Sequence, residues 1–96
     1  MPFLMGMWKD EYVNIGGYDE DFTGYAADDN DFISRLLANG CSYCYTGART
    51  IHMYHGVSCD ALHHPENPAW AYNYKLFQDR KGIIVRNQNR EWGVIQ

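Results

Sequence analysis

Apolar residues recur at helical spacing in the middle of the chain. Between positions 28 and 39 the apolar face consists of Phe32, Ile33, Leu36 and Leu37. Residues three and four positions apart lie on the same side of an α-helix. Asp28 is placed to cap the first turn, Asp31 stands at the capping-box position, and Asn39-Gly40 ends the pattern. The sequence therefore predicts an amphipathic helix over 28–39.

Short apolar and aromatic runs predict strands on both sides of this helix. The run at 3–8 is apolar and has the length of a buried strand. The segments "CSYCYT" and "RTIHMYH" are rich in aromatic and β-branched residues and are separated by Gly47. Together they predict two strands, which could pair as a hairpin.

Two further helical segments complete the predicted elements. One or two turns are expected in "KDEYVNIGG", closed by glycine, and a longer helix from Pro68 to about Arg80. Trp70, Tyr74 and Phe77 share one face of the longer helix, and we expect them to pack in the core. Helices that alternate with strands predict a mixed α/β fold.

Composition and charge narrow the function classes. The chain has 96 residues, which fits one small domain, and its formal net charge is −4. A nucleic-acid binder normally carries a basic patch, so no nucleic-acid partner is expected. No run reaches the about 18 apolar residues of a membrane span, and no signal-peptide cleavage pattern follows "MPFLMGMW". Three cysteines do not suggest a disulfide framework. We expect a cytoplasmic location. A position at the face of a membrane is also compatible with the sequence.

The stretch "GGYDEDFTGYAADDNDFISR" at 16–35 holds six of the 12 acidic side chains. Two interpretations are open. Carboxylates at the start of a helix interact favourably with its free N–H groups and dipole, so Asp28 and Asp29 could serve as caps. Alternatively, Tyr18, Phe22 and Tyr25 could stack on a sugar or another flat apolar face, beside a fixed, ionised carboxylate that takes a proton from a hydroxyl group.

The order of these motifs resembles that of glycosyltransferases of the GT-A fold. A short apolar segment is followed by "IGGYDEDFTGY", by two acidic residues, by another acid and by "FISRLLANG". The pattern is similar to family-two glycosyltransferases and to β-1,4-galactosyltransferase and chondroitin-polymerase enzymes, whose motif reads Gly-Phe-Asp-Glu, Gly-Trp-Gly, Glu-Asp-x-Asp, Arg-Leu and Gly. The likeness extends from about Phe3 to His55. It implies a mixed sheet with flanking helices.

The resemblance also implies roles for individual residues. The acidic pair falls on Asp28 and Asp29, of which Asp29 is the expected catalytic base and Asp28 is expected to bind acceptor hydroxyls or to cap the helix. Asn30 stands where the galactosyltransferase pattern has an acceptor-binding acid, and Tyr25 stands where it has Trp. We expect both on the acceptor side, with altered specificity. The pair Ala26-Ala27 replaces glycines of the pattern.

A histidine downstream of the acidic pair matches the family's metal ligand. His55, in "IHMYHG", lies 26 residues after Asp29. The resemblance implies that His55 holds Mn²⁺ or another divalent metal, together with an upstream Asp-x-Asp motif. The implied reaction transfers a sugar, with inversion, from a nucleotide-sugar donor to a hydroxyl group of a carbohydrate acceptor.

The same resemblance predicts the domain organisation. We expect 1–96 to be a single domain, the C-terminal, acceptor-side portion of a catalytic domain, with the motifs in 1–58 and a loop and helix in 59–96. The donor site is expected upstream of Phe3, so this chain alone should be inactive or nearly so. Its apolar N-terminal strand could mediate self-association.

A non-catalytic module is the alternative to an enzyme. Cys41, Cys44, His52 and His55 form C-x₂-C-x₇-H-x₂-H. The central gap is shorter than the about 12 residues of a zinc finger, and on a strand the two cysteines would face opposite sides. The open alternatives are a zinc-stabilised module built on these four residues and a carbohydrate-binding module.

Overall fold

Three helices form the regular structure of the chain. The computed structural model describes residues 5–24, 26–51, 53 and 68–94. Helix α1 spans Lys9–Asn14, α2 spans Asp28–Ala38 and α3 spans Pro68–Asp79. All three lie where the sequence predicts helices. Within the described part of the chain, no helix is both long and apolar enough to cross a membrane.

The predicted α/β fold is wrong, because the described residues contain no strand and therefore no mixed sheet. Residues 5–8 and 41–51 have no regular secondary structure. Tyr45 and Ile51 are 90% and 92% exposed. Aromatic and β-branched residues form a strand only where a neighbouring strand and a buried face are available, and the described residues offer this segment neither. Strands are also predicted for "RTIHMYH" and for 3–8, but the described residues of these two segments do not form a strand either.

Helix α2 is the central element; it begins at Asp28, as predicted, but its N-cap residue differs from the prediction. It ends in a Schellman motif: Cys41 N–H donates to Leu36 O at 3.1 Å and Gly40 N–H to Leu37 O at 3.1 Å. At its start Ala27, not Asp28, occupies the N-cap position, and no side chain caps the helix. The predicted capping box is therefore wrong, since Asp28 already lies inside the first turn and Asp31 is engaged elsewhere.

A small apolar core lies between α2 and the turn that follows α1. Ile15, Phe32 and Leu36 are buried, and Tyr12, Tyr18, Cys41 and Ile84 pack against them. Phe32 contacts both tyrosines: its ring stacks on Tyr18 at 4.1 Å between centroids and is tilted against Tyr12 at 5.7 Å. A core of this size leaves much of the stabilisation to polar contacts.

Helix α3 is attached to the acidic stretch through an amide side chain. Asn73 is 1% exposed, donates from Nδ2 to Thr23 O at 2.6 Å and accepts from Thr23 N–H at 3.0 Å. Trp70 and Tyr74 stack at 5.0 Å between centroids, as their helical spacing predicts. Tyr74 is nevertheless 44% exposed, so the prediction that this aromatic face packs in the core is wrong for Tyr74. The buried face of α3 is set by Asn73.

Arg35 ties α2 to the loops on both sides of it. The side chain is 3% exposed. Its Nε donates to Asp31 Oδ2 at 2.9 Å, and its terminal nitrogens donate to the carbonyl oxygens of Ile15, Gly17 and Ile84. A guanidinium group has five donors in one plane, which lets a single side chain satisfy several buried carbonyl groups.

Arg86 makes the corresponding connection from the C-terminal segment. One terminal nitrogen, Nη1, lies 2.8 Å from Asp19 Oδ2 and 3.0 Å from Asp31 Oδ1. Asp19, Asp31, Arg35 and Arg86 are each at most 5% exposed, so two positive and two negative charges are buried together. We call these four residues the buried ion cluster. Such charges are tolerated in an interior when each is paired and hydrogen-bonded, and no buried side-chain polar atom in the described residues lacks a partner.

The cluster continues to the surface through two more arginines. Arg80 donates to both Asp19 and Asp21, and Arg90 contacts Asp21 at 2.7 Å. Burial acts to raise the pKa of Asp19, but hydrogen bonds from Arg80, the Asp21 backbone and Arg86 outweigh it and hold that pKa below its usual value. Hydrogen bonds from Arg80 and Arg90 lower the pKa of Asp21. Both carboxylates are therefore held in the ionised form.

The backbone of the acidic stretch is also fixed by Asn87 and by a close approach. Asn87 Nδ2 donates to Gly16 O and Tyr18 O at 2.9 and 2.6 Å, and its Oδ1 accepts from Glu20 N–H at 3.1 Å. At Gly16 the φ angle is +77°, and a Cβ atom there would lie 2.2 Å from Arg86 O. Glycine is required at this position, because any side chain would push the two segments apart.

Arg86 gives a direct test of this architecture. Arg86→Met should lower the free energy of unfolding by about 3–5 kcal/mol, because it leaves Asp19 and Asp31 buried with one arginine fewer. Arg90→Met is the matched control: that side chain is 42% exposed, and surface ion pairs contribute at most about 1 kcal/mol. Denaturant unfolding of both variants provides the comparison. Equal losses would show that the buried cluster is not what stabilises this fold.

Candidate functional site

The acidic side chains at 16–35 fall into two groups. Asp19, Asp21 and Asp31 bind arginines, as described above, and the Glu20 carboxylate accepts a hydrogen bond from Gly93 N–H at 2.7 Å. Asp28 and Asp29, like Glu20, pair with no basic side chain in the described part of the chain. They are the two aspartates of this stretch that no arginine binds, and unlike Glu20 they lie on a helix.

The first turn of α2 places these two carboxylates at the edge of the core. Asp28 and Asp29 are its first two residues, both half-buried, and Asn30 follows as an exposed residue. The N-terminal end of a helix carries partial positive charge and free N–H groups, which favour ionised carboxylates. An ionised, partly solvent-accessible carboxylate on a rigid helix is suited to accept a proton from a bound hydroxyl group.

The turn before α2 has a strained backbone. Ala26 and Ala27 have φ angles of +88° and +67°, in the left-handed region that alanine rarely adopts. These are the two residues that replace glycines of the resembled motif, so the chain keeps a glycine-like backbone without glycine. Strain of this kind persists only where the surrounding structure imposes it, and it is frequent at functional sites. Here it sets the direction in which α2 begins and thus the position of Asp28 and Asp29.

Tyr18 contacts the expected base directly. Its hydroxyl group donates to Asp29 Oδ1 at 3.0 Å. Burial, followed by the hydrogen bond and the charge of Asp29, raises the pKa of Tyr18 to about 12. Tyr18 therefore keeps its proton at neutral pH. One face of the Tyr18 ring stacks on Phe32.

The remaining predicted site residues are only partly described. Tyr25, expected on the acceptor side, and His55, the expected metal ligand, lie outside the described residues, as does His52. The structure thus brings Asp28, Asp29 and Asn30 together on one helical turn, as three consecutive residues must be. The proposed assignments of Tyr25 and His55 stay predictions.

The described residues offer no metal centre of their own. Among them, no group of three or more His, Cys, Asp or Glu side chains could hold a metal ion. Cys41 Sγ donates to Glu11 Oε2 at 3.1 Å, a hydrogen bond that raises the pKa of the Cys41 thiol, and Cys44 is exposed. A zinc-stabilised module would also need His52 and His55, so that alternative is not tested by the described part.

The sequence does not identify the residues that distinguish aspartates bound by arginines from aspartates that are not. Arg80, Arg86 and Arg90 lie in a segment that the sequence marks only as a thinly basic region. The hydroxyl group of Tyr18 was also missed, because an aromatic residue in a loop gives no indication of where its polar end points. The one available signal was an excess of aspartates in a loop matched by arginines later in the chain.

Comparison with known families supplies what geometry alone does not. Residues 3–56 match the model of a family described as the N-terminal domain of galactosyltransferase. The match includes the acidic stretch, α1 and α2, and it covers more than half of the chain. The match shows the family, but it shows neither a GT-A fold nor that the chain is the C-terminal part of a catalytic domain. Comparison with curated proteins and with solved structures gave no match. On the strength of the family match, the chain belongs to the galactosyltransferase family.

Proposed function

We propose that this chain supplies the acceptor side of a glycosyltransferase site, in which Asp29 acts as the general base. The substrates are a nucleotide-sugar donor and a carbohydrate acceptor. This assigns catalytic roles to individual residues, which membership of the family alone does not.

One observation supports Asp29 above the other acids. Of the aspartates at 16–35, the described part pairs Asp19, Asp21 and Asp31 with arginines and leaves Asp28 and Asp29 without one. An aspartate between two guanidinium groups is a poor base, because protonation would break its ion pairs. Asp29 has a neutral hydroxyl group as its partner instead. It is the second acid of the pair, the position that serves as base in the resembled enzymes.

The proposed reaction is a single displacement. The acceptor hydroxyl oxygen attacks the anomeric carbon of the donor, its proton moves to the Asp29 carboxylate, and the bond to the nucleotide diphosphate breaks with the electron pair leaving on the phosphate oxygen. General-base catalysis of this kind contributes about 10²–10⁴-fold to a rate. Attack opposite to the leaving group inverts the anomeric configuration, in line with the resemblance.

Asp28, Asn30 and Tyr25 are proposed to bind the acceptor. Asp28 and Asn30 flank Asp29 on the first turn of α2, and Asn30 is exposed, so a ligand can reach its amide group. An amide in place of a carboxylate can donate as well as accept hydrogen bonds. We therefore propose that this chain prefers an acceptor different from that of enzymes with an acid at this position.

His55 is the one residue of this chain proposed to bind a divalent metal ion, Mn²⁺ or another, as one ligand among several. An ion of this type would stabilise the leaving diphosphate. The described residues do not form a metal site, so no step above involves the ion.

The proposed base can be tested in the natural full-length polypeptide. Asp29→Asn should lower turnover by about 10²–10⁴-fold, because an amide cannot accept the acceptor's proton. Affinity for the nucleotide-sugar donor should remain within about twofold, since Asp29 is proposed to act on the acceptor side. Steady-state kinetics and donor titration give the two numbers.

Asp10→Asn is the matched control for that experiment. Asp10 is an exposed acid in the first turn of α1, so the same chemical change there should leave turnover unaltered. Turnover by Asp29→Asn within threefold of the wild-type value would rule out Asp29 as the base.

The metal assignment needs a separate experiment. His55→Ala should raise the Mn²⁺ concentration that gives half-maximal activity by about tenfold or more, because one ligand of the ion is lost. His63→Ala serves as the control, since no role is proposed for it. A metal response identical to that of the wild-type protein would remove His55 from the site.

A further inference from the structure

The ring of Tyr18 is held rigidly from two directions. It stacks on Phe32 at a centroid distance of 4.1 Å with an angle of 11° between the planes, and Phe32 is fully buried. On the backbone side, the Tyr18 carbonyl oxygen accepts a 2.6 Å hydrogen bond from Asn87 Nδ2. Because the ring is packed and the backbone that carries it is hydrogen-bonded, the hydroxyl group is kept in one place.

That hydroxyl group has a single described partner, the carboxylate of Asp29. It donates to Oδ1 at 3.0 Å, at the upper end of the normal range for an O–H···O hydrogen bond. No other described side chain donates to Asp29, so Oδ2 is left for a further partner. Packing against Phe32 needs only an aromatic ring, and the hydroxyl group is therefore not explained by the core.

We propose that Tyr18 is a positioning residue for the base: by binding Oδ1 of Asp29 it fixes the carboxylate so that Oδ2 receives the acceptor's proton. This inference rests on the proposed function, since it assumes that Asp29 is the base. Because the pKa of Tyr18 is raised to about 12, the hydroxyl group remains a donor throughout the pH range in which a carboxylate acts as a base. A correctly oriented general base gains rate through geometry without any new contact with the substrate.

Tyr18→Phe isolates the hydroxyl group, because phenylalanine keeps the ring that stacks on Phe32. In the full-length polypeptide we expect kcat to fall by about tenfold, while KM for the acceptor changes by less than about twofold. Thermal stability should match that of the control described next. The split between kcat and KM separates positioning of the base from binding of the acceptor.

Tyr12→Phe is the matched control. Tyr12 contacts the same Phe32 ring at 5.7 Å, and its hydroxyl group has no hydrogen bond to Asp29 in the described structure. Removal of this second hydroxyl group should leave kcat unchanged. Equal effects of the two substitutions would attribute the loss to the core and overturn the inference.

The remaining outcomes distinguish the two proposals. If Asp29→Asn abolishes turnover and Tyr18→Phe has wild-type kcat, the base stands and the positioning role is overturned. The positioning role also fails if KM rises at constant kcat, which would make Tyr18 an acceptor-binding residue, or if Tyr18→Phe is markedly less stable than Tyr12→Phe. If Asp29→Asn retains turnover, the proposed function itself fails.

Discussion

The pairing of buried aspartates with arginines that follow them much later in the chain is the interaction on which this structure depends. Arg86 reaches Asp19, 67 residues away in sequence, and Asp31 on α2. Arg35 satisfies carbonyl groups on both sides of α2. The apolar core cluster has only three buried side chains in the described part, so these contacts determine how the segments are placed. Because the charges are buried, loss of one partner is far costlier than loss of a surface pair.

This constraint also shapes the candidate site. The ion cluster fixes the loop that begins at Gly16, and through that loop it fixes Tyr18, whose hydroxyl group meets Asp29. Aspartates inside the cluster are committed to structure, whereas the first turn of α2 remains available to a ligand. Under the proposed function, structural and chemical roles are divided among residues of the same type within 20 positions of sequence. The stretch that holds them lies inside the segment that matches the galactosyltransferase family, residues 3–56.

The helices could be predicted from sequence because their signals are local. Phe32 and Leu36 reveal α2 by their spacing, and Asn39-Gly40 marks its end. The strands could not be predicted reliably, since residues such as Tyr45 and Ile51 form a strand only with a partner that the described chain does not provide. The resemblance selects Asp29, and the i, i+4 spacing of Asp31 and Arg35 is a local sign that Asp31 is paired instead. The second arginine at Asp31 is Arg86, which only the folded chain brings there.

The proposed division between structural and catalytic carboxylates can be tested by measuring Asp19→Asn and Asp29→Asn side by side. For each variant of the full-length polypeptide, turnover and the free energy of unfolding are determined under the same conditions. Asp19→Asn should lower the unfolding free energy by about 3–5 kcal/mol, because it removes one of the two carboxylates that pair with the buried Arg86. Asp29→Asn should unfold within about 1 kcal/mol of the wild-type protein and yet lose turnover. Full activity of Asp29→Asn, or unaltered stability of Asp19→Asn, would contradict this division of roles.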